Sequence, residues 1–168
     1  MALITSPTQI PDLNYEYHTI TVDSVGQGSS NTFSVFLQQP LRNVVQAKLL
    51  AAHIHSNVST EHCYVSIKEL DTIFSDRASI TLDGQADMSV LRTSFASIIT
   101  SDANHSGGNS LITFKDEYPL TTQYINPIRQ IDRLTVTIRD QSGNTIKNST
   151  DSGNNFLVLR FVCRKPNL

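Results

Sequence analysis

Apolar and polar residues alternate with a period of two along most of the chain, which predicts β-strands. The clearest run is Arg133–Asp140, where Leu134, Val136 and Ile138 share one face. No segment longer than ten residues keeps a helical period with caps, although a short helical turn within Asp71–Leu91 is left open. Eight strands are predicted, at Tyr15–Asp23, Phe33–Gln38, Asn43–His55, His62–Leu70, Ser94–Thr100, Leu111–Lys115, Arg133–Asp140 and Phe156–Arg164.

Eight strands in one domain predict an all-β fold, an eight-stranded single jelly-roll β-sandwich of two four-stranded antiparallel sheets. With the predicted strands lettered B to I in chain order, one sheet has the order B-I-D-G and the other C-H-E-F. The predicted organisation is an N-terminal arm at residues 1–14, the jelly-roll domain at 15–165 and a C-terminal tail at 166–168.

This topology sorts the loops to two ends that differ in composition. Loops B–C, D–E, F–G and H–I share the first end, which takes six of the seven glycines and no proline: Gly26, Gly28, Gly107, Gly108, Gly143 and Gly153. The second end holds both termini, and all six prolines lie in its loops or in the termini: Pro7, Pro11, Pro40, Pro119, Pro127 and Pro166. We call these the glycine-rich end and the proline-bearing end. Such polarity suits a shell subunit that has one end in solvent and one end seated on neighbours.

The composition narrows the classes of function. The 168 residues amount to one domain, with 17% charged residues and a net charge of -2. Without a surplus of cations, an ordinary nucleic-acid binder is excluded. The chain is instead rich in short polar residues, with 19 Ser, 17 Thr and 12 Asn, which favour strands and turns over helices.

The cysteines and the N-terminus indicate neither a disulfide framework nor a secretory signal. Cys63 and Cys163 lie in alternating apolar runs and are predicted to be buried free thiols. The segment Met1–Leu13 has no basic or continuous apolar region of a signal peptide. No apolar stretch reaches 18 residues, so no membrane span is expected.

Three histidines form the first candidate site. His53 and His55 share one face of a predicted strand, and His62 or Glu61 could supply a third metal ligand. The alternative is a group of polar surface histidines near a strand end, which we favour. We therefore predict that the chain has no metal site.

Other candidate sites are also weak. Gly26-Gln27-Gly28 lacks the third glycine and the helix of a dinucleotide loop, so a B–C loop is favoured. The acid pairs Glu69 with Asp71 and Asp116 with Glu117 could serve glycoside chemistry, but solvated carboxylates are favoured, and the chain has no Trp to stack on a sugar ring. We predict no catalytic residue, no cofactor and no enzyme.

A mild basic cluster comprises Arg139, Arg160, Arg164 and Lys165. One interpretation is a charged outer sheet face that blocks edge pairing, and the other is a set of interfacial salt bridges.

The stretch Ile131–Gly143, with the sequence IDRLTVTIRDQSG, is followed by a Gly- and Asn-rich loop and an apolar last strand. This pattern resembles the single jelly-roll penton capsid proteins of eukaryotic DNA viruses of the double jelly-roll lineage, which includes giant viruses, virophages and polinton-like viruses. The runs Phe36–Leu41 and Tyr64–Leu70 look like the same pattern. The resemblance implies a virion protein that forms a homopentamer at the icosahedral five-fold vertices, and it transfers no catalytic residue.

The partners that the resemblance implies are copies of the chain itself, neighbouring major and minor capsid proteins, and a vertex spike or fibre, without direct contact to nucleic acid. We expect the arm, the C–D and G–H loops and the tail to contact neighbours, with the glycine-rich end in solvent. Burial of Ser101–Ser110 and Gln141–Asn155 between subunits would contradict that orientation. The alternatives are a minor or cement capsid protein and a carbohydrate- or receptor-binding jelly-roll module.

Overall fold

The computed structural model describes residues 14–56, 60, 62–71, 94–99, 110–115, 122–140, 143 and 154–166. These residues are all-β, as predicted, and contain no helix. The helical turn considered within Asp71–Leu91 lies, apart from Asp71, outside the described residues. Seven strands are present: β1 at Tyr15–Asp23, β2 at Thr32–Ser56, β3 at His62–Ile67, β4 at Ala96–Ile99, β5 at Ser110–Lys115, β6 at Thr122–Asp140 and β7 at Phe156–Arg164.

All seven strands belong to one curled antiparallel sheet with the order β1-β7-β2-β6-β3-β4, and β5 also pairs with β2. The prediction of eight strands in two separate sheets differs from this arrangement. Predicted strands C and D are a single strand, β2, which pairs with β7 and β5 through its second half and with β6 through its first half and middle. The jelly-roll interpretation is therefore taken up below as a proposal.

The merging of C and D has a local cause. The register of β2 against β6 shifts between Phe36 and Leu41 and again between Val44 and Gln46, so bulges bend the strand without ending its pairing. Asn43 lies between these points with a φ of 52°, in the left-handed region that Asn tolerates better than most residues. Strand β2 therefore turns a corner while it remains extended.

Strand β6 is also longer than the sequence predicts. It begins at Thr122 rather than Arg133, because residues of the predicted G–H loop pair with the middle of β2: Thr122 lies opposite Ala47 and Ile128 opposite Val44. The loop composition, with Pro127 at an exposed position, did not indicate this extension. Strands β1 and β7 have the predicted bounds.

The core is formed by one face of each main strand. Leu134, Val136 and Ile138 of β6 are fully buried, in the alternation that the sequence predicts. They pack with Leu157, Leu159 and Phe161 of β7, with Val44, Ala47 and Ile54 of β2, and with Cys63, Val65 and Ile67 of β3. Burial of each large side chain stabilises the fold by about 1.5–3 kcal/mol.

Candidate functional site

A groove of about 800 Å³ lies at the end of the fold that carries Pro40. It lies between β1 and the first half of β2, and residues Cys163–Pro166 complete its wall. Ile20, Val35 and Leu37 give the groove an apolar lining. Phe36 also lines the groove and is 78% exposed, so a large aromatic side chain here has no cover in the described part of the chain.

The charges around the groove are mainly positive. Arg42, Arg164 and Lys165 line it, against the single carboxylate of Glu16. His18 Nε2 lies 3.6 Å from Glu16 Oε2, on the same face of β1. The groove therefore combines an apolar floor with a cationic rim.

The groove also lies along an edge of the sheet. Strand β1 ends the strand order, so within the described residues it has a strand partner, β7, on one side only. The Lys165 N–H donates to the Asn14 carbonyl over 2.8 Å, so the first described residue is held to a residue that lines the groove. An edge strand beside an open groove can accept an added strand through its free backbone groups.

At the opposite end, Asn155 connects three segments. The Asn155 amide Nδ2 donates to the Asn31 Oδ1 and to the Ser30 carbonyl, both at 2.7 Å. The His55 N–H donates to Asn155 Oδ1 at 2.8 Å. Backbone and side-chain bonds with Ser24 complete the group, and Asn155 is fully buried. Because all its polar atoms are satisfied, this side chain fixes the loop after β1, the end of β2 and the start of β7 as a structural unit.

The candidate metal ligands are not brought together. His53 and His55 lie on β2 between β5 and β7, whereas His62 lies on β3, which pairs with β4 and β6. Within the described residues no group of three or more His, Cys, Asp or Glu side chains could hold a metal ion, and Glu61 lies outside those residues. Partial burial, and to a smaller extent the nearby His53, lower the pKa of His55.

The acidic pair on the turn after β3, Glu69 and Asp71, is held by hydrogen bonds to neighbouring residues. Both oxygens of Glu69 accept hydrogen bonds from Thr135, Oε2 from the backbone N–H at 2.7 Å and Oε1 from the hydroxyl at 2.9 Å. The guanidinium of Arg133 lies 3.8 Å from Glu69 Oε1. Asp71 accepts the Ile67 N–H at 2.8 Å and the Ser66 hydroxyl. Both carboxylates are thus half-buried and accept hydrogen bonds from backbone groups of their surroundings, so solvent supplies only part of their partners.

Burial has the largest effect on the pKa of Asp71. It raises the pKa of this carboxyl, although the bonds from Ser66 and Ile67 act in the opposite direction. The Tyr124 hydroxyl donates to the Leu70 carbonyl at 2.9 Å, next to Asp71, and burial raises the pKa of that phenol as well. The second acid pair, Asp116 and Glu117, lies outside the described residues.

The four basic residues do not form one cluster. Arg139 Nη1 donates to the Gly143 carbonyl at 2.9 Å and so holds the turn after β6. The Arg160 guanidinium lies over the Tyr17 ring, 5.0 Å from its centroid, on the outer face of β1 and β7. Arg164 and Lys165 belong to the groove.

The loop predicted at Gly26-Gln27-Gly28 and the two buried cysteines are present in the structure. Gly26, with a φ of 73°, lies in a turn closed by the Gln27 N–H and the Ser24 carbonyl, so Gly26-Gln27-Gly28 is a loop after β1. Cys63 and Cys163 are buried free thiols, as predicted. Burial raises the pKa of both thiols.

Sequence reasoning missed the groove and the role of Asn155. The signal for Asn155 was weak, because it is one of 12 asparagines and adjoins a Gly- and Asn-rich loop. The one indication of a structural role in the sequence is that Asn155 directly precedes Phe156, the first apolar residue of β7. The groove depends on the bend in β2, which the sequence did not predict.

No protein-family model matches the chain, and no curated protein is significantly similar to it. Among the described residues, no helix has the length and apolarity needed to cross a membrane.

Proposed function

We propose that the chain is a viral structural protein with a single jelly-roll fold, the penton subunit that forms a homopentamer at the icosahedral five-fold vertices of a capsid. Its activity is assembly, and its partners are copies of itself and neighbouring capsid proteins.

The set of strand pairings is the observation that carries the proposal. The pairs β1–β7, β7–β2 and β2–β5 correspond to B–I, I–D and D–G of the predicted topology. The pairs β2–β6, β6–β3 and β3–β4 correspond to C–H, H–E and E–F. A curled sheet with this order supports a jelly roll whose two sheets share the long strands β2 and β6.

The family resemblance supports the assignment to capsids. The stretch Ile131–Gly143 covers the last ten residues of β6, whose later part pairs with both β2 and β3. The resembling segment is thus a central strand of the fold rather than a peripheral loop. Its inner residues Leu134, Val136 and Ile138 are core residues.

The flanks of the sheet are suited to assembly. A closed ring uses two different surfaces of each subunit. Strands β1 and β4 are the two ends of the strand order, and Ile99 on β4 is 77% exposed. Burial of this apolar side chain against the next subunit in a ring would remove it from water, a favourable contribution to association.

A carbohydrate-binding module is the second candidate, and one observation favours it. Tyr17 is 57% exposed on the outer face, and Arg160 lies over one side of its ring. The exposed part of the ring can pack on a sugar, and the guanidinium can donate to a sugar hydroxyl group. A monomer that binds a glycan array would support this function and contradict the penton.

The test is light scattering after size-exclusion chromatography of the purified chain, followed by electron cryo-microscopy of the assembled particle. We expect a mass of five subunits. Ile99→Asp should abolish this species, because it places a carboxylate in the proposed interface. Val25→Asp is the matched control, since Val25 is 56% exposed on the loop after β1, and β1 and β4 lie at opposite ends of the strand order. Equal assembly of both variants would contradict the use of the β4 flank, and a monomeric wild type would contradict the ring.

A further inference from the structure

The groove beside β1 is open, has an apolar lining and carries positive charge at its rim. Phe36 is 78% exposed in its wall, and the edge of β1 faces it. A stable fold that leaves such a surface uncovered is typical of a docking site for another segment. The question is which segment fits it.

Residues 1–13, which lie outside the described residues, have the matching chemistry. The first part, Ala2–Ser6, contains Leu3 and Ile4 and no proline, so its backbone can pair with a strand edge. The second part, Pro7–Leu13, contains both prolines of the segment and its single charged side chain, Asp12. The apolar side chains of Leu3 and Ile4 match the apolar residues that line the groove, and Ala2–Ser6 itself carries no charged side chain.

The point of attachment places this segment at the groove. Asn14 is held to Lys165 by the 2.8 Å bond, and Lys165 lines the groove. The seven residues of Pro7–Leu13 span about 23 Å when extended, so Ala2–Ser6 can lie at that distance from the attachment point.

Entry of the segment into the groove of its own subunit would require the spacer Pro7–Leu13 to fold back along β1. Pro7 and Pro11 fix a negative φ and bias the residue before each of them toward extended conformations, so the spacer favours continuing in one direction. A neighbouring copy can insert its segment without a reversal.

We propose that residues Ala2–Ser6 of one copy bind in the groove of the next copy, as an added strand on the edge of β1 that has no strand partner among the described residues. The inference rests on the proposed function, because it needs copies that stand side by side. In a ring, each subunit would then donate one segment and accept one, and this exchange would link the subunits independently of the β4 flank.

Disulfide capture tests the proposal in the full-length chain. Ile4→Cys and Gln38→Cys place one thiol in the segment and one on an exposed groove residue. When the two single variants are mixed and oxidised, we expect a covalent dimer of one copy of each. Each single variant oxidised alone is the control for reaction with Cys163, which also lines the groove. The double variant should give a ladder of covalent oligomers that ends at five.

Two results would overturn the proposal. One is a double variant that is linked only within each chain, which would show that the segment fills its own groove. The other is an intact five-subunit ring without any cross-link, which would leave the penton proposal standing. A wild type that stays monomeric would instead contradict the penton itself.

A charge scan supplies a second readout. Leu3→Asp together with Ile4→Asp should weaken ring assembly by about tenfold or more, because two apolar contacts are lost. Thr8→Asp together with Gln9→Asp adds the same charge in the spacer and should leave assembly unchanged. Equal effects of the two double variants would contradict a specific role for Ala2–Ser6.

Discussion

Asn155 donates a 2.7 Å hydrogen bond to Asn31, and both side chains are buried, although 124 positions separate them in the chain. The same amide also binds the Ser30 carbonyl and accepts the His55 N–H. The contact therefore connects the loop after β1, the end of β2 and the start of β7 through one side chain.

Asn155→Ala is expected to lower the free energy of unfolding by about 2–4 kcal/mol, because it leaves several buried polar groups without partners. Urea unfolding followed by circular dichroism measures the change. Asn154→Ala is the matched control: Asn154 is half-buried and accepts one bond from the Ser24 hydroxyl, so its loss should be about 1 kcal/mol or less. Similar losses in the two variants would contradict the central role of Asn155.

Asn43 offers a test of the bend in β2. Its φ of 52° is unfavourable for a β-branched residue and easy for glycine. We expect Asn43→Val to be less stable than Asn43→Gly by about 1–2 kcal/mol in urea unfolding. Valine has the higher strand propensity, so a more stable Asn43→Val would show that this position is ordinary extended strand.

The raised pKa of Asp71 predicts a pH dependence of stability. The folded state holds this proton to higher pH than the unfolded state, whose ordinary value is about 3.8. The contribution of Asp71 to stability is therefore fully present below that value and is lost as the pH rises through the folded-state pKa. The unfolding free energy of the wild type minus that of Asp71→Asn should therefore fall as the pH rises above the ordinary value of 3.8.

Asp132→Asn, which removes an exposed carboxylate of β6, controls for the change in net charge. A difference between wild type and Asp71→Asn that grows with pH would mean that the bonds from Ser66 and Ile67 outweigh burial.

The two thiols should be unreactive in the folded protein. Both are buried, and the raised pKa values keep them protonated, whereas thiol reagents attack the thiolate. With a chromogenic disulfide reagent at pH 8, we expect reaction to be limited by unfolding in buffer and rapid in concentrated urea. Cys63→Ala isolates the signal of Cys163. Rapid labelling of that variant in buffer would show that the groove wall opens at Cys163.

The sequence predicts the strands well where alternation reflects burial on one face. Leu134, Val136 and Ile138 illustrate this, since each is fully buried and the intervening residues are more exposed. The pattern does not reveal where a strand bends without ending. The segment around Pro40 and Asn43 has the composition of a loop, yet the bulges keep it within β2 because neighbouring strands supply its hydrogen bonds. Whether a segment continues a strand or forms a loop thus depends on pairing partners far away in the chain, which the local composition does not indicate.

The candidate site was harder to predict for the same reason. Glu69 and Asp71 were recognisable as a pair of acids, but the hydrogen bonds from Thr135 depend on the pairing of β3 with β6. The groove depends on the position of β1 relative to the first half of β2, which only the fold defines.

The continuity of β2 has a mechanical consequence. A single covalent backbone of 25 residues connects two groups of strands: β2 pairs with β7 and β5 of the group β1-β7-β5 through its second half, and with β6 of the group β6-β3-β4 through its first half and middle. A pull applied to either group is thus carried along peptide bonds into the other, instead of being borne by side-chain contacts alone. The two groups cannot slide past each other unless the ladders of β2 rupture, so the subunit should resist shear as a single plate.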